Sequence, residues 1–527
     1  MIVSSAQPWW QAATIYHIYP RSFADSDGDG IGDLRGIADR LDYLVDLGID
    51  CVWISPIYPS PMADFGYDVA DYTGIDPRFG TLADFDALLA RAHGRGIRVL
   101  LDFVPNHSSD RHDWFVESRS SRDNPKRDWY IWRDPAPDGG PPNNWISDFG
   151  GPAWSFDSVT GQYYSRAFLP EQPDLNWRNP AVRSAMLDAM RFWFDRGVDG
   201  FRIDVQWHMV KHADFPDNPP NPDYRAGMGD MHRVLQLHST DQPEVHAIAT
   251  AMRQQADAYG AVLVGEIYLP IPKLMTYYGT ADAPGVHLPF NFQLIEANWN
   301  AAELAARIVE YEAALPAGGW PNWVLGNHDR PRIATRVGQA QARVAAMLLL
   351  TLRGTPTLYQ GDELGLTDAQ VPADKVQDPR ELREPGLGLG RDPVRTPLPW
   401  TAEGGFTTGD PWLPIDPAHL SRNARAQADD PASMLSLYRR LLALRRATPA
   451  LATGAIGDIR ADGDVLTYVR GDGAGRYRIA LNLGDRPARV EPGRIILSTH
   501  ADPGSAILRP AEGHILRPAE GHILKVD

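Results

Sequence analysis

Two hydrophobic periodicities alternate along most of this chain. Short apolar runs such as ATIYHIYP and CVWISPIY are followed by stretches such as LADFDALLARAHGRG, in which apolar residues recur at spacings of three and four. The short runs predict strands and the longer stretches predict amphipathic helices. The other strand-like runs are RVLLDFVPNH, GVDGFRIDV, AVLVGEIY, HLPFNFQL, NWVLGNHD and GTPTLYQGDELG.

Strands that alternate with helices imply right-handed crossovers and a parallel sheet. Eight such units in a chain of 527 residues predict an α/β fold with a closed (β/α)₈ TIM barrel. Glycines that follow helical stretches suit the left-handed C-terminal cap. These glycines are Gly48, Gly96, Gly197 and Gly260.

Two regions depart from the alternation of strands and helices. The stretch from 107 to 172 is rich in Pro, Asn, Asp, Trp and Gly, and it is too long for a plain loop. It predicts a subdomain inserted after the third strand. Near the C-terminus, DVLTYVRG and RYRIALNLG alternate apolar and polar residues, which predicts an antiparallel β domain. The predicted domains are a barrel (1–106 and 173–450), the insertion (107–172) and the C-terminal β domain (451–527).

A short duplication lies near the C-terminus. The sequence ILRPAEGH occurs at 507–514 and again at 515–522. Two copies are too few for a solenoid, and the duplication carries no functional inference.

Composition narrows the function. The formal net charge of -16 argues against a nucleic acid or an anionic membrane as partner. Apolar runs stay well below about 18 residues, so no membrane span is expected. Cys51 is the single cysteine, which excludes an internal disulfide, and the N-terminus lacks the pattern of a signal peptide. We therefore expect a cytoplasmic protein, either a monomer or a small homo-oligomer.

Three acids follow apolar runs at predicted strand ends: Asp204, Glu266 and Asp329. In a parallel barrel such ends converge on one mouth. Glycoside cleavage needs one protonated and one ionised carboxyl group. Arg202 shares a strand face with Asp204 and should keep it ionised, as a nucleophile requires. Glu266 follows the apolar run AVLV, and a dry setting would raise its pKa, as an acid/base requires.

Each acid also has a plainer interpretation. An Arg-x-Asp pair can be a simple ion pair, and an acid at a strand end can cap a helix. His107 and His328 lie beside the acids in sequence, where a neutral imidazole could donate to a sugar hydroxyl. They could instead belong to a zinc site, although no HExxH pattern supports one. The combination of three acids with two histidines favours the glycosidase interpretation.

Several motifs resemble one known family. The segments DFVPNH (102–107), GFRIDV (200–205), GEIY (265–268) and GNHD (326–329) look like the four sequence regions of the α-amylase family of glycoside hydrolases, in the same order. QPDLNW (172–177) is similar to a fifth region found in the α-glucosidase and oligo-1,6-glucosidase branch. WWQAATIYHIYPRSF and GRDPVRTPLPW also resemble that branch.

The resemblance implies a role for each residue. Asp204 would be the nucleophile, Glu266 the acid/base, and Asp329 the ligand of the 2- and 3-hydroxyls of the sugar. The double-displacement mechanism of the family retains configuration and places the catalytic carboxyl groups about 5–5.5 Å apart. Other residues would form the pocket for the terminal glucose, namely His107, Arg202, His328, Asp64 on the 4- and 6-hydroxyls, Tyr67 stacked on the ring, and Arg395 paired with Asp64.

A closed pocket of this kind implies attack from the chain end. Arg391 is the alternative partner for Asp64, and the ion pair could also be a simple loop contact. The implied substrates are small α-glucosides such as maltose, isomaltose or sucrose, and no organic cofactor is expected. Val205, directly after the nucleophile, resembles enzymes that accept α-1,6 linkages.

A second motif concerns a metal ion. The segment DSDGDGIGD spaces four acids closely in one loop, and such acids can surround a hard cation. It is not an EF-hand, because position twelve is Gly36 and a strand precedes the loop. It resembles the calcium-binding first β/α loop of the oligo-1,6-glucosidase branch, so a structural Ca²⁺ is implied, and the alternative is an acidic turn without metal. The implied ligands are Asp25, Asp27, Asp29, Asp33 and the carbonyl of Ile31.

Two other functions stay open. Sucrose isomerases and other α-glucosyl-transferring enzymes resemble this chain, but the isomerases carry an RLDRD-like segment that NHDRPRI matches poorly. The heavy subunits of amino-acid transporters share the barrel without being catalytic. They have a membrane-spanning helix and lack the catalytic acids, so this alternative is distant.

Overall fold

The computed structural model describes residues 7–472, 475–490, 494–499, 514–516 and 521–526. Strands are numbered along the chain. They are β1 (Ile15–Ile18), β2 (Cys51–Ile54), β3 (Arg98–Phe103), β4 (Trp132–Arg133), β5 (Trp154–Asp157), β6 (Gln162–Ser165), β7 (Gly200–Ile203), β8 (Val262–Gly265), β9 (Leu288–Asn291), β10 (Asn322–Trp323), β11 (Thr357–Tyr359), β12 (Ile456–Asp462), β13 (Val465–Arg470), β14 (Arg476–Asn482), β15 (Ala488–Val490), β16 (Arg494–Ser498), β17 (His514–Leu516) and β18 (Gly521–Val526).

Helices are numbered in the same way. They are α1 (Trp9–Ala12), α2 (Leu34–Asp39), α3 (Leu41–Leu47), α4 (Leu82–His93), α5 (Asp113–Ser120), α6 (Pro180–Asp195), α7 (Glu244–Ala258), α8 (Ile271–Thr276), α9 (Gln293–Glu296), α10 (Ala301–Ala314), α11 (Ile333–Thr351), α12 (Pro379–Arg383), α13 (Asp392–Arg395), α14 (Pro417–Leu420), α15 (Ala424–Ala428), α16 (Met434–Ala447) and α17 (Pro449–Ala452).

Eight strands form one parallel sheet in the order β1, β2, β3, β7, β8, β9 and β10, with β11 beside β1. A parallel bridge between Val324 and Thr357 joins the two ends of the sheet into a barrel. Almost every residue of these strands is buried, as expected for strands covered on both faces. Each predicted strand run contains one barrel strand, so the predicted (β/α)₈ barrel is confirmed.

Local signals in the sequence explain how the helices begin and end. Thr81 and Asp84 form a reciprocal capping box at the start of α4. Gly48 ends α3 with φ of 95° and donates its N–H to the carbonyls of Leu44 and Val45. Only glycine adopts this left-handed conformation at little cost, so the chain can turn there directly into β2.

An inserted sheet lies between β3 and β7, as predicted. Strands β4, β6 and β5 pair antiparallel, and the rings of Phe115, Trp132 and Tyr164 pack together against them. A bridge between His107 and Asp174 joins the two ends of the insertion beside the barrel mouth. The exact domain boundaries stay a prediction.

The C-terminal strands form the predicted antiparallel sheet, in the order β12, β13, β14, β18 and β16. The sheet contacts the barrel through Tyr468, whose hydroxyl lies 2.5 Å from that of Thr351 in α11. Most of the duplicated ILRPAEGH sequence lies outside the described residues. None of the helices in the described part of the chain combines the length and apolarity that crossing a bilayer requires.

Candidate active site

A cavity of about 200 Å³ opens at the carboxyl ends of the barrel strands. Asp204 directly follows β7, Glu266 directly follows β8, and Asp329 lies in the loop after β10. The remaining walls come from the loops after β2, β7, β8 and β10, from the insertion, and from the segment between β11 and α14. The lining residues are Asp64, Tyr67, His107, Asp148, Phe149, Phe168, Gln172, Asp204, Val205, Trp207, Met231, His232, Glu266, Tyr268, His328, Asp329, Arg330, Arg380 and Arg391.

Arg202 joins the carboxyl groups at the base of this cavity. Its Nη1 lies 2.6 Å from Asp204 and 2.8 Å from Asp102, and its Nη2 lies 2.7 Å from Glu266. The guanidinium is 1% exposed. Two acids separated by more than 60 positions in the sequence therefore meet on one buried cation, as the strand-end argument predicted.

The protonation of this pair departs from the sequence argument. Burial raises the pKa of Asp204 well above its ordinary range, and the positive charge of Arg202 only partly opposes this effect. Burial also raises the pKa of Glu266, against the same opposing charge. Arg202 lowers the pKa of Asp204, as the sequence argument expected, but burial and the neighbouring acids raise it more, so the net direction differs from that expectation. Two buried carboxyl groups on one cation titrate as a pair and favour keeping one proton between them.

Asp329 has a different environment. Its carboxylate accepts hydrogen bonds from Arg395 at 2.8 Å and Arg391 at 3.3 Å, and His328 Nε2 lies 3.3 Å away. Burial opposes ionisation, but His328 and the two guanidinium groups hold the pKa of Asp329 far below its ordinary value. Asp329 is therefore an anion at neutral pH, suited to accept hydrogen bonds from sugar hydroxyls.

The ion pair at the closed end of the pocket is made by Arg391, the alternative candidate. Arg391 Nη2 lies 2.7 Å from Asp64 and 2.8 Å from Asp378. The prediction that Arg395 pairs with Asp64 was wrong. Arg395 lies one helical turn further along, at the end of α13, where its guanidinium contacts Asp329 and the carbonyl of His328.

Aromatic rings and amides complete the wall around Asp64. The rings of Tyr67 and His328 lie parallel, with their centroids 5.3 Å apart. Gln172 places its side-chain amide 3.1 Å from His107 Nε2 and 3.3 Å from Asp64. Burial lowers the pKa of His107 to about 4, so this imidazole is neutral at neutral pH. Asp64, Tyr67, His107 and His328 thus line one small cavity. Arg202 and Arg395 lie outside this lining, against the acids Asp204 and Asp329.

Asp102 and Gln172 lie in the quoted motifs and contact the site, but the sequence assigned no role to either. Asp102 is fully buried and accepts hydrogen bonds from Trp53, Tyr67 and Arg202. A charged residue inside the apolar strand RVLLDF was the signal that could have revealed it. Gln172 opens the motif QPDLNW but has no comparable local signal. Asp378 was also missed, because it lies in an irregular segment far from any motif.

The acidic loop after β1 gathers three of its predicted ligands. Oxygen atoms of Asp25, Asp27 and Asp29 all lie within 4.8 Å of one another. Asp33 instead caps α2 by accepting from the N–H of Gly36 at 2.7 Å, and its second oxygen accepts from Ser26. The three clustered carboxylates offer the oxygen ligands that a hard cation takes. Asp33 is used by the helix, and Asp25 also accepts from the N–H groups of Gly28 and Gly30 and from the hydroxyl of Thr407. Calcium binding itself stays a prediction.

Buried carboxyl groups on one arginine, at the mouth of a (β/α)₈ barrel, define a site of the glycoside hydrolase class. A family profile described as the catalytic domain of α-amylase matches residues 17–454, and a domain of unknown function, DUF3459, matches residues 454–515. The chain therefore belongs to the α-amylase family of glycoside hydrolases, and the family prediction is confirmed.

Individual relatives point to one branch of this family. The chain is 42% identical over 502 residues to a probable α-glucosidase of Rhizobium meliloti. This alignment covers 92% of this chain and 91% of the relative. It is 38% identical over 555 residues to an oligo-1,6-glucosidase of Heyndrickxia coagulans. This alignment covers 96% of this chain and 99% of the relative. These similarities support a glycoside hydrolase of the α-glucosidase type.

Two solved structures are similar over nearly their whole length. The α-glucosyl transfer enzyme XgtA has a TM-score of 0.92 and 42% identity, with 98% of this chain and 100% of that chain covered. The trehalulose synthase MutB from Pseudomonas mesoacidophila MX-45 has a TM-score of 0.89 and 37% identity, with 99% and 100% covered. An α-glucosyl transfer enzyme and a trehalulose synthase therefore share the fold of this chain.

Proposed function

We propose that the protein is a retaining, exo-acting α-glucosidase that releases terminal glucose from short α-glucosides. The observation that carries the proposal is the contact of Asp204 and Glu266 with the same buried Arg202, beside a pocket wall formed by the Arg391–Asp64 ion pair. The pair supplies an attacking carboxylate and a proton donor, and the ion pair blocks passage of a longer chain.

The proposed first step forms a covalent intermediate. Asp204 attacks the anomeric carbon while the bond to the leaving oxygen breaks, and Glu266 transfers its proton to that oxygen. In the second step Glu266 takes a proton from water, the water oxygen attacks the same carbon, and the bond to Asp204 breaks. Two displacements return the original α configuration. The proton that burial retains on the carboxyl pair is the one that the first step needs.

Exo-action follows from the shape of the pocket. Asp64, His107 and Gln172 are all nearly inaccessible to solvent and lie at its deep end. A terminal glucose placed there would have its 4- and 6-hydroxyls against Asp64, with no room for another sugar beyond them. The leaving group would then extend toward the opening, past Trp207 and Tyr268.

Linkage preference rests on fewer residues. Val205 has φ of 35°, an unusual value for a β-branched residue, and its N–H donates to Glu266 at 2.9 Å. This strained backbone fixes the valine side chain beside the catalytic pair. A valine at this position resembles enzymes that accept α-1,6 linkages. Together with the similarity to an oligo-1,6-glucosidase, Val205 therefore favours α-1,6 linkages.

The decisive experiment is hydrolysis of p-nitrophenyl α-glucoside, with the anomeric configuration of the released glucose followed by NMR. The wild type should release α-glucose first, and Asp204→Asn should lose nearly all activity while remaining folded. A folded wild type that releases no nitrophenol would contradict the proposal, and release of β-glucose would contradict retention.

Transfer of glucose is the second candidate, favoured by the similarity to XgtA and MutB. It uses the same intermediate, but a sugar hydroxyl replaces water in the second step. Separate incubation with maltose, isomaltose, sucrose and trehalose, followed by chromatography, distinguishes the activities. Glucose as the main product supports hydrolysis, whereas new disaccharides support transfer or isomerisation.

We further propose a structural Ca²⁺ held by Asp25, Asp27 and Asp29 in the loop after β1. The clustering of their carboxylate oxygens supports this assignment. An ion there would neutralise like charges in the loop that enters α2, and it would take no part in the reaction.

A further inference from the structure

The arginines at the deep end of the cavity all have carboxylate partners. Arg202 contacts Asp102, Asp204 and Glu266. Arg391 contacts Asp64, Asp378 and Asp329, and Arg395 contacts Asp329. The guanidinium groups in this half of the pocket are therefore all paired with carboxylates of the protein.

The opening of the same cavity is different. Arg330 and Arg380 line it, and across the described part of the chain neither has a carboxylate oxygen within 4.0 Å. The Nε atom of Arg380 is buried and has no hydrogen-bond partner, and its Nη2 contacts only the sulfur of Met231, at 3.6 Å. Arg330 lies over the ring of Tyr268, 4.8 Å from its centroid, and its Nε lies 3.5 Å from the hydroxyl of the same residue.

Acids near these two arginines have other contacts. Asp148 accepts a hydrogen bond from Gln236 at 2.7 Å. Burial raises its pKa to about 6, and the charge of Arg380 opposes this rise without forming an ion pair within 4.0 Å. Glu384 accepts from the N–H of Asp230 through Oε1 at 2.8 Å, and its Oε2 is buried without a hydrogen-bond partner and lies beyond 4.0 Å from both guanidinium groups. His232 lies within the influence of both guanidinium groups, because burial lowers its pKa and then Arg380 and Arg330 lower it further.

A guanidinium that is partly removed from water without an anionic partner loses hydration that no ion pair replaces. Guanidinium groups also bind carboxylate and phosphate oxygens with strong, directional hydrogen bonds. Arg330, Arg380 and His232 are half-buried, whereas Asp64, His107 and Glu266 at the deep end are almost fully buried. The two arginines therefore surround the position of the leaving group rather than that of the terminal glucose.

We infer that the preferred substrates are α-glucosides whose leaving group carries an anionic group, a carboxylate or a phosphate, bound by Arg330 and Arg380. This inference rests on the proposed α-glucosidase function and specifies its substrate class. The cleavage step is unchanged, and the anion contributes binding energy at the opening of the pocket.

The test compares matched anionic and neutral substrates. One arm uses 4-carboxyphenyl α-glucoside and its methyl ester, and the other uses trehalose 6-phosphate and trehalose. Each charge-assisted hydrogen bond contributes roughly 1.5–3 kcal/mol, so kcat/KM for the anionic member should exceed that for the neutral member by at least about tenfold. A preference in only one arm identifies whether carboxylate or phosphate is bound.

Variants connect the preference to the two residues. Arg380→Gln and Arg330→Gln should each lower the anionic-to-neutral ratio by at least about fivefold, and Arg380→Lys should keep part of it. The control is Arg233→Gln, which removes the same charge from the same loop as His232. Its side chain is 58% exposed and already paired with Asp230, so the ratio should not change.

Two results would overturn the inference: ratios at or below one in both arms, or ratios unchanged in both glutamine variants. If neither the anionic nor the neutral glucosides are hydrolysed, the proposed function fails instead. The anion site is then decided by calorimetric titration of 4-carboxyphenyl α-glucoside against its ester. Tighter binding of the acid that is lost in Arg380→Gln supports the site, and equal affinity overturns it.

Discussion

Arg391 contacts three carboxylates, so its replacement by glutamine perturbs the closed end of the pocket at several points at once. Its guanidinium lies 2.7 Å from Asp64, 2.8 Å from Asp378 and 3.3 Å from Asp329. Asp329 keeps its shorter contact with Arg395. Asp64 and Asp378 have no other guanidinium within 4.0 Å among the residues that the structure describes.

The size of the effect can be worked from Asp378, whose side chain is fully buried. Against the opposing effect of burial, Arg391 is the main group that lowers the pKa of Asp378 from 3.8 to about 2. One pKa unit corresponds to about 1.4 kcal/mol, so this carboxylate alone accounts for about 2 kcal/mol. Removing one partner of a buried pair typically costs about 3–5 kcal/mol. We expect Arg391→Gln to lower the free energy of unfolding by about 2–5 kcal/mol.

The sign of the pH dependence follows from the same groups. In the wild type the lowered pKa of Asp378 contributes stability that is complete above its ordinary pKa of 3.8 and is lost only as the pH falls through about 2. Between pH 5 and 8 this contribution is therefore constant. Without Arg391, burial should raise the pKa of both Asp64 and Asp378, so folding would favour their protonated forms. The difference in the free energy of unfolding between the wild type and Arg391→Gln should then be smaller at pH 5 than at pH 8.

The assay is thermal unfolding of wild type, Arg391→Gln and Arg391→Lys at pH 5 and pH 8, all at one scan rate. Arg446→Gln is the control, because Arg446 pairs with Asp50 at the surface, where such a contact contributes at most about 1 kcal/mol. A melting temperature of Arg391→Gln no lower than that of the control would refute the reasoning. So would a deficit that grows toward pH 5.

Three further outcomes are expected. Glu266→Gln should reduce kcat on maltose by roughly 10²–10⁴-fold. The loss should be smaller on p-nitrophenyl α-glucoside, because its leaving group needs little protonation. Equal losses on the two substrates would argue against the acid role. Asp102→Asn should lower kcat/KM by roughly tenfold or more through misplacement of Arg202, and unchanged kinetics would contradict that positioning. Chelation should lower the melting temperature without abolishing turnover, and an unchanged melting curve under strong chelator would contradict an ion at Asp25.

The barrel could be predicted from the sequence because its signals are local. Each strand is a short β-branched or aromatic run, and each crossover helix has a regular apolar face. Gly48 at the end of α3 adopts the left-handed conformation that its position suggested. The placement of Asp204 and Glu266 followed from topology, because parallel strands that end in acids must converge at the barrel mouth.

The choice between Arg391 and Arg395 could not be made in this way. The two residues are four positions apart and span one turn at α13, so their sequence positions are nearly equivalent. The choice depends on Asp378, which accepts from both the backbone N–H and the side chain of Arg391 and thereby orients its guanidinium toward Asp64. Asp378 caps the short helix α12, a local role that its sequence Asp-Pro suits, but its contact with Arg391 depends on the tertiary path of the segment.

The protonation of Asp204 and Glu266 also could not be predicted from the sequence. The strand period places Arg202 beside Asp204, and a pairwise argument then gives one cation to one anion. The fold brings Asp102 and Glu266 to the same guanidinium, so one positive charge faces three carboxyl groups away from water. Three full negative charges there would be poorly compensated, so the cluster keeps a proton. The proton that the reaction requires is thus a property of the assembled site, and no single residue in the sequence predicts it.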